Sequence, residues 1–122
     1  MRILLVEPDE YYHSQLALGL GDLGELIFAS HLEQGREEIK KAAPDVIITE
    51  LLLENSSGYQ FLEELHKSLF PHKPAAVIIF STVNHIEDIK HCLNYGITGY
   101  FVKGQNTIND IRRLVLNLNP IF

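Results

Sequence analysis

The chain has 122 residues, long enough for one domain with a buried core, and 46% hydrophobic against 21% charged residues is the balance of a soluble globular protein. A net charge of -6 without any basic block argues against direct nucleic-acid binding and suits a protein or a small cation as partner. A single cysteine, Cys92, excludes an intrachain disulfide and fits a reducing cytoplasm, while no apolar run approaches the ~18 residues of a membrane span and the run after Met1 is too short for a signal peptide.

Ile3-Leu4-Leu5-Val6 reads as a buried strand, followed at once by Glu7-Pro8-Asp9-Glu10. A helix from about Glu10 to Gly19 places Tyr12, Leu16 and Leu20 on one face, and Gly19, Gly21 and Gly24 punctuate the turn into a second strand, Glu25–Ala29. Ser30-His31-Leu32-Glu33 has the form of a capping box and opens a second helix that ends before Pro44. The third strand, which starts at Asp45, is apolar on both faces, as at the centre of a parallel sheet, and stops at an acid, Glu50. After a loop, Ser57-Gly58 opens a third helix with Phe61, Leu62, Leu65 and Leu69 at helical spacing. Pro71 and Pro74 bound a turn, and Ala75–Phe80 is the fourth strand, ending at Ser81-Thr82. Asn84, with Glu87 three residues on, opens a fourth helix with Ile86, Ile89 and Leu93 expected inward, closed by Gly96. Gly99–Val102 is the fifth strand and ends at Lys103. A last helix from about Asn106 to Leu118 aligns Ile108, Ile111, Val115 and Leu118.

Strand and helix alternate throughout residues 1–122, with no linker or low-complexity tract, so one domain is expected. The expected class is α/β: a five-stranded parallel sheet, doubly wound, in the flavodoxin-like order 2-1-3-4-5. Ligand crevices of such sheets lie at the carboxyl ends of the strands. Glu7, Glu50, Ser81 and Lys103 are thereby expected at one edge, and together they say more than any one acid, which alone would be solvated. Asp45 begins the third strand and is structural, and the six histidines lack close ligand spacing. Cys92 falls in an apolar helix stripe and reads as packing.

Over essentially its whole length the chain resembles the receiver domain of two-component response regulators. The resemblance rests on Ile3–Glu7, Pro44–Glu50, Ser57-Gly58, Ile79–Thr82 and Gly99–Lys103. It implies two acids after the first strand that help hold Mg²⁺, and an aspartate ending the third strand that accepts phosphate from a histidine kinase. It further implies a Ser or Thr and a Lys that contact the phosphoryl group, and an aromatic that changes rotamer with activation. Glu7, Ser81 (with Thr82), Tyr100 and Lys103 match. The acceptor position holds Glu50, the second acid aligns with Pro8, and the proline that follows the lysine in the family is Gly104.

Mg²⁺ demands near-octahedral oxygen ligands. Pro8 offers no carboxylate, and Asp9, one residue on, points to the opposite side of an extended segment unless the loop bulges. Glu50 carries its carboxylate one methylene too far for an in-line acceptor, but far enough to meet the ammonium of Lys103. The expectation is therefore a non-enzymatic, cytoplasmic signalling module without cofactor, its Mg²⁺ site lost, acting by protein–protein interaction. The alternative is a working phospho-accepting receiver in a phosphorelay, which needs an acid in place of Pro8 or an unusual use of Glu50. A flavin or other small-molecule binder of this architecture is disfavoured, because no Gly/Ser/Thr-rich cradle follows the first strand. The resemblance also implies partner binding, or homodimerisation, through the face of the fourth helix, fifth strand and fifth helix. Tyr100, Lys90, Asn94 and Arg112-Arg113 are expected there; nucleic acid and membrane are not expected partners.

Overall fold

The structure, a computed structural model, describes residues 1–118. The end of the single-domain assignment, 119–122, lies outside them. Five strands, β1 (Arg2–Val6), β2 (Glu25–Ala29), β3 (Val46–Thr49), β4 (Ala76–Ser81) and β5 (Gly99–Val102), form one parallel sheet in the order β2-β1-β3-β4-β5. Five helices, α1 (Glu10–Leu20), α2 (Leu32–Ala42), α3 (Gly58–His66), α4 (Ile86–Leu93) and α5 (Ile108–Leu116), cover its faces. The expected order holds.

The sheet is apolar on both sides because both are covered. Ile3, Leu5, Val46, Ile48 and Ile78 pack under Leu16 and Leu20 of α1 and Ile111 and Val115 of α5. Leu4, Val6 and Ile47 point the other way, onto Leu32 and Ile39 of α2 and Phe61 and Leu65 of α3. This alternation follows from the two-residue repeat of the strand.

Several local expectations need correction. The N-cap of α2 is His31, whose Nδ1 accepts from the Gln34 amide, while the Gln34 side chain takes up the Ser30 N–H. The Ser30–Glu33 box is thus displaced by one residue, because Leu32 enters the core as the first helical position. Likewise His85, not Asn84, caps α4. Within α4, Ile86 and Leu93 face solvent and Cys92 is the fully buried residue. Leu69 lies beyond the end of α3 and is exposed. The segment after β3, expected as a plain loop, contains a small antiparallel hairpin pairing Leu52–Leu53 with Ser56–Ser57. Among the described residues no helix is long and apolar enough to cross a membrane.

Candidate functional site

Parallel pairing brings the ends of β1, β3, β4 and β5 to one edge, and there Glu7, Glu50, Ser81 and Lys103 meet. Ser81 is fully buried and Glu7 and Glu50 nearly so, at 3% and 4% exposed. The Lys103 ammonium lies 2.7 Å from Glu7 Oε1 and 2.6 Å from Glu50 Oε2. It also sits over the Tyr12 ring, 4.3 Å from the centroid, so an aromatic face completes its surroundings.

Glu50 is saturated with donors. Its Oε2 accepts from Lys103. Its Oε1 accepts from the backbone N–H of Leu51 at 2.8 Å and of Leu52 at 3.1 Å, and from the hydroxyl of Ser81. A shorter carboxylate at the end of β3 would leave these donors facing outward; the added methylene lets Glu50 turn back onto them. Gly58 makes room for this turn. A Cβ there would lie 2.5 Å from Leu51 Cα and 2.9 Å from the Glu50 carbonyl, which no side chain tolerates.

Glu7 is held differently. Besides Lys103 it accepts from the Asp9 N–H at 3.0 Å, and its own carbonyl receives the His13 Nε2–H at 2.5 Å. Burial pushes the Glu7 carboxyl above its ordinary range, with the Glu50 charge adding to the rise, and Lys103 and the Asp9 N–H offset this only in part. Burial works against the Lys103 ammonium, yet the hydrogen bonds and charges of Glu50 and Glu7 prevail and raise its pKa.

The remaining expected residues divide. The Tyr100 hydroxyl donates to the Val83 carbonyl at 2.5 Å, tying β5 to the loop before α4, and burial foremost raises its pKa. Asp9 caps α1, its side chain accepting from the Tyr11 N–H at 2.9 Å, and so is spent away from Glu50. Thr82 is exposed and stands outside the cluster, because Ser81 takes the inward position at the strand end and the next residue alternates outward. The loop after β5 is fixed by Asn106, which accepts from the Val102 N–H at 2.8 Å. Gly104 within it has φ +87°, a backbone conformation closed to the proline of the family pattern.

Tyr12, His13 and the two backbone N–H groups escaped the sequence reading. Tyr12 was legible only as a core aromatic, and backbone donors carry no residue signature. Arg112 is also placed differently from expectation. Its guanidinium meets Asp22 at 2.6 and 2.8 Å and the Gly19 carbonyl at 3.0 Å, so it braces α5 against the end of α1.

The donor set does not fit the Mg²⁺ that the family pattern implies. Pro8 has no side-chain oxygen to give, Asp9 is committed to a helix cap, and Glu7 and Glu50 both hold Lys103. Among the described residues no group of three or more His, Cys, Asp or Glu is placed to hold a metal.

The sheet order and the strand-end cluster define a flavodoxin-like α/β domain with the layout of a receiver. The family model described as "Response regulator receiver domain" matches residues 3–115, and the chain belongs to that family. It is 34% identical over 79 residues to the two-component response regulator ORR1 of Oryza sativa subsp. japonica, covering 65% of this chain and 33% of that protein. It is 32% identical over 75 residues to the nitrate/nitrite response regulator NarL of Escherichia coli K12, covering 62% and 33%. The chain thus spans about a third of the length of these relatives. A two-component response regulator from Clostridium difficile superposes with a TM-score of 0.83 at 20% identity, covering 95% of this chain and 93% of that one. A CheY-like receiver domain from Methanospirillum hungatei does so with 0.79 at 24%, covering 93% and 89%. These two likenesses speak for the fold.

Proposed function

We propose that this receiver-family signalling module works through protein–protein interaction with its phosphoryl site filled by its own side chain. One observation carries the reading: the four donors that converge at the end of β3 are all engaged by Glu50. A phosphoryl group needs such donors for its charged oxygens. Here the Glu50 carboxylate supplies the charge permanently. Phosphoryl transfer also needs cation neutralisation, and for it Pro8 has no carboxylate while that of Asp9 is committed to the α1 cap.

With Glu50 in place, Lys103, Ser81 and, through Val83, Tyr100 are held in one arrangement. The partner surface lies beside them. On α4, Ile86 and Leu93 are exposed seven residues apart, on one stripe with Lys90 between them. A protein partner, or a second copy of this chain, meets that stripe and the half-buried Tyr100. Arg112 is not part of this surface.

The test is intact mass after incubation with acetyl phosphate and Mg²⁺. The expected result is no gain of phosphate. A one-phosphate adduct mapped to Glu50 overturns the reading in favour of a phospho-accepting receiver.

A further inference from the structure

A cleft opens at the opposite edge of the sheet from Glu50. It lies between the carboxyl ends of α3 and α4 and the start of β4, with a volume of about 340 Å³. Leu62, Leu65, Val77 and Tyr95 make apolar walls, and His66 and Lys73 stand on them. The Tyr95 ring meets His66 edge-on, at 6.1 Å between centroids. From Ala76, which lines the cleft, to Ser81 the strand runs ~17 Å, so the two places are separate.

Two features set the cleft apart. The chain carries 16 acids, yet none lines the cleft. Its two basic side chains are uncommitted: among the described residues, neither Lys73 nor His66 forms an ion pair. Small-molecule sites are concave spaces of ~300–1,000 Å³ with apolar walls and a few polar groups that fix orientation, and this cleft has that size, its lining apolar and polar in near-equal shares.

We propose that the cleft binds a small organic anion, a carboxylate on a flat apolar body. The carboxylate is received by Lys73 and His66, and the body lies against the partly exposed Val77 and Tyr95. A flat ring suits the Tyr95 face, and a lone ammonium on an acidic protein selects an anion over its neutral analogue. The site does not depend on the state of Glu50.

The experiment is an amide-shift titration of the chain with 3-phenylpropionate and with the neutral 3-phenylpropanol. Parent, Lys73→Glu and His66→Ala are compared. Lys73 is exposed and forms no ion pair among the described residues, so its substitution is expected to leave the urea midpoint unchanged. The expected result is saturable shifts at Val77, Tyr95, Gly96 and Thr98 with the acid, and at least tenfold weaker binding of the alcohol. The acid should bind Lys73→Glu at least tenfold more weakly and His66→Ala about threefold more weakly. The proposal is overturned by shifts that do not saturate, by equal binding of acid and alcohol, by undiminished binding to Lys73→Glu, or by shifts confined to Leu51 and Leu52.

Discussion

Removing the Lys103 ammonium leaves Glu7 and Glu50 buried and facing each other with no positive charge between them. Breaking a buried pair in this way costs ~3–5 kcal/mol, because the surviving charge is uncompensated. Lys103→Ala should lose about that much, less whatever is recovered when Glu7 takes up a proton. Urea denaturation reads it directly, and equal midpoints for mutant and parent would count against the cluster. The pH dependence of stability carries a second signature. A carboxyl raised in the fold contributes stability that is present below its unfolded pKa and is lost as pH rises through the folded value. Glu7 is such a group, so its contribution grows on acidification from neutral pH toward the ordinary carboxylate range. Asp22 and Asp110 are lowered, Asp22 foremost by the Arg112 hydrogen bond and Asp110 by the Thr107 N–H, and they act in the opposite sense, losing stability as pH falls. In Glu7→Gln the Glu7 component vanishes while theirs remains. The stability of the parent relative to Glu7→Gln should therefore increase from pH 7 to pH 5, and a constant difference would remove this assignment. The contact between Glu50 and Lys103 was readable in the sequence from the reach of one extra methylene. The share of Glu7 in the same ammonium was not, since pairing between the ends of β1 and β5 depends on side chains crossing the ends of β3 and β4.

At the scale of elements, helix ends show where sequence pattern is weakest. Helix α2 closes on Ala43, which takes a left-handed conformation with φ 47° immediately before Pro44. Glycine adopts that conformation without the Cβ penalty, and the proline prevents the helix from continuing. Ala43→Gly should raise stability by ~0.5–1 kcal/mol, the balance of relieved strain over the added freedom of the unfolded chain. Thermal denaturation decides it, and a lowered midpoint would mean that the Ala43 methyl is worth more in packing than it costs in strain. The strands and the inward stripes of α1 and α5 were legible because their apolar positions leave one choice of face. Helix α4 was not. Its sequence offers Ile86, Ile89 and Leu93 as one stripe and Ile89 with Cys92 as another, and the fold buries the smaller residue. Periodicity favours the larger side chains, but the space between α3 and β4 is already filled by Leu62, Ile79 and Tyr59, which leaves room for a cysteine. Burial pushes the Cys92 thiol up to about 11, so it stays unreactive there. The two displaced caps have a similar origin: a histidine ring nitrogen accepts from the first-turn amides as a serine or asparagine oxygen would.

Across the whole molecule, the sheet order delivers four strand ends to one edge independently of what stands at each, and this is why the fold survives the loss of its family's acceptor aspartate. Lys103 is held by the Ser81 carbonyl at 2.8 Å through its own N–H, and Asn106 fixes the loop beyond it. Gly58 keeps the backbone of Leu51 in reach. The strand-end scaffold is thus in place, and on the function proposed above two side chains, Glu50 and Pro8, keep a phosphoryl group from it. Glu50→Asp withdraws the carboxylate from the Leu51 and Leu52 N–H groups and from Ser81, leaving those donors for a phosphoryl group. Pro8→Asp returns a carboxylate beside Glu7, at a position where Asp9 cannot serve because it caps α1. Neither change alone suffices: an acceptor without a cation lacks charge neutralisation, and a cation without a placed acceptor has nothing to load. Because both act on one site, their effects should be strongly non-additive. Intact mass after acetyl phosphate and Mg²⁺ should show a one-phosphate gain in the double variant and at most a trace in either single one. A silent double variant would move the cause to Gly104, whose φ of +87° sends the loop after β5 along a path that the family's proline cannot follow and sets the direction from which Lys103 approaches.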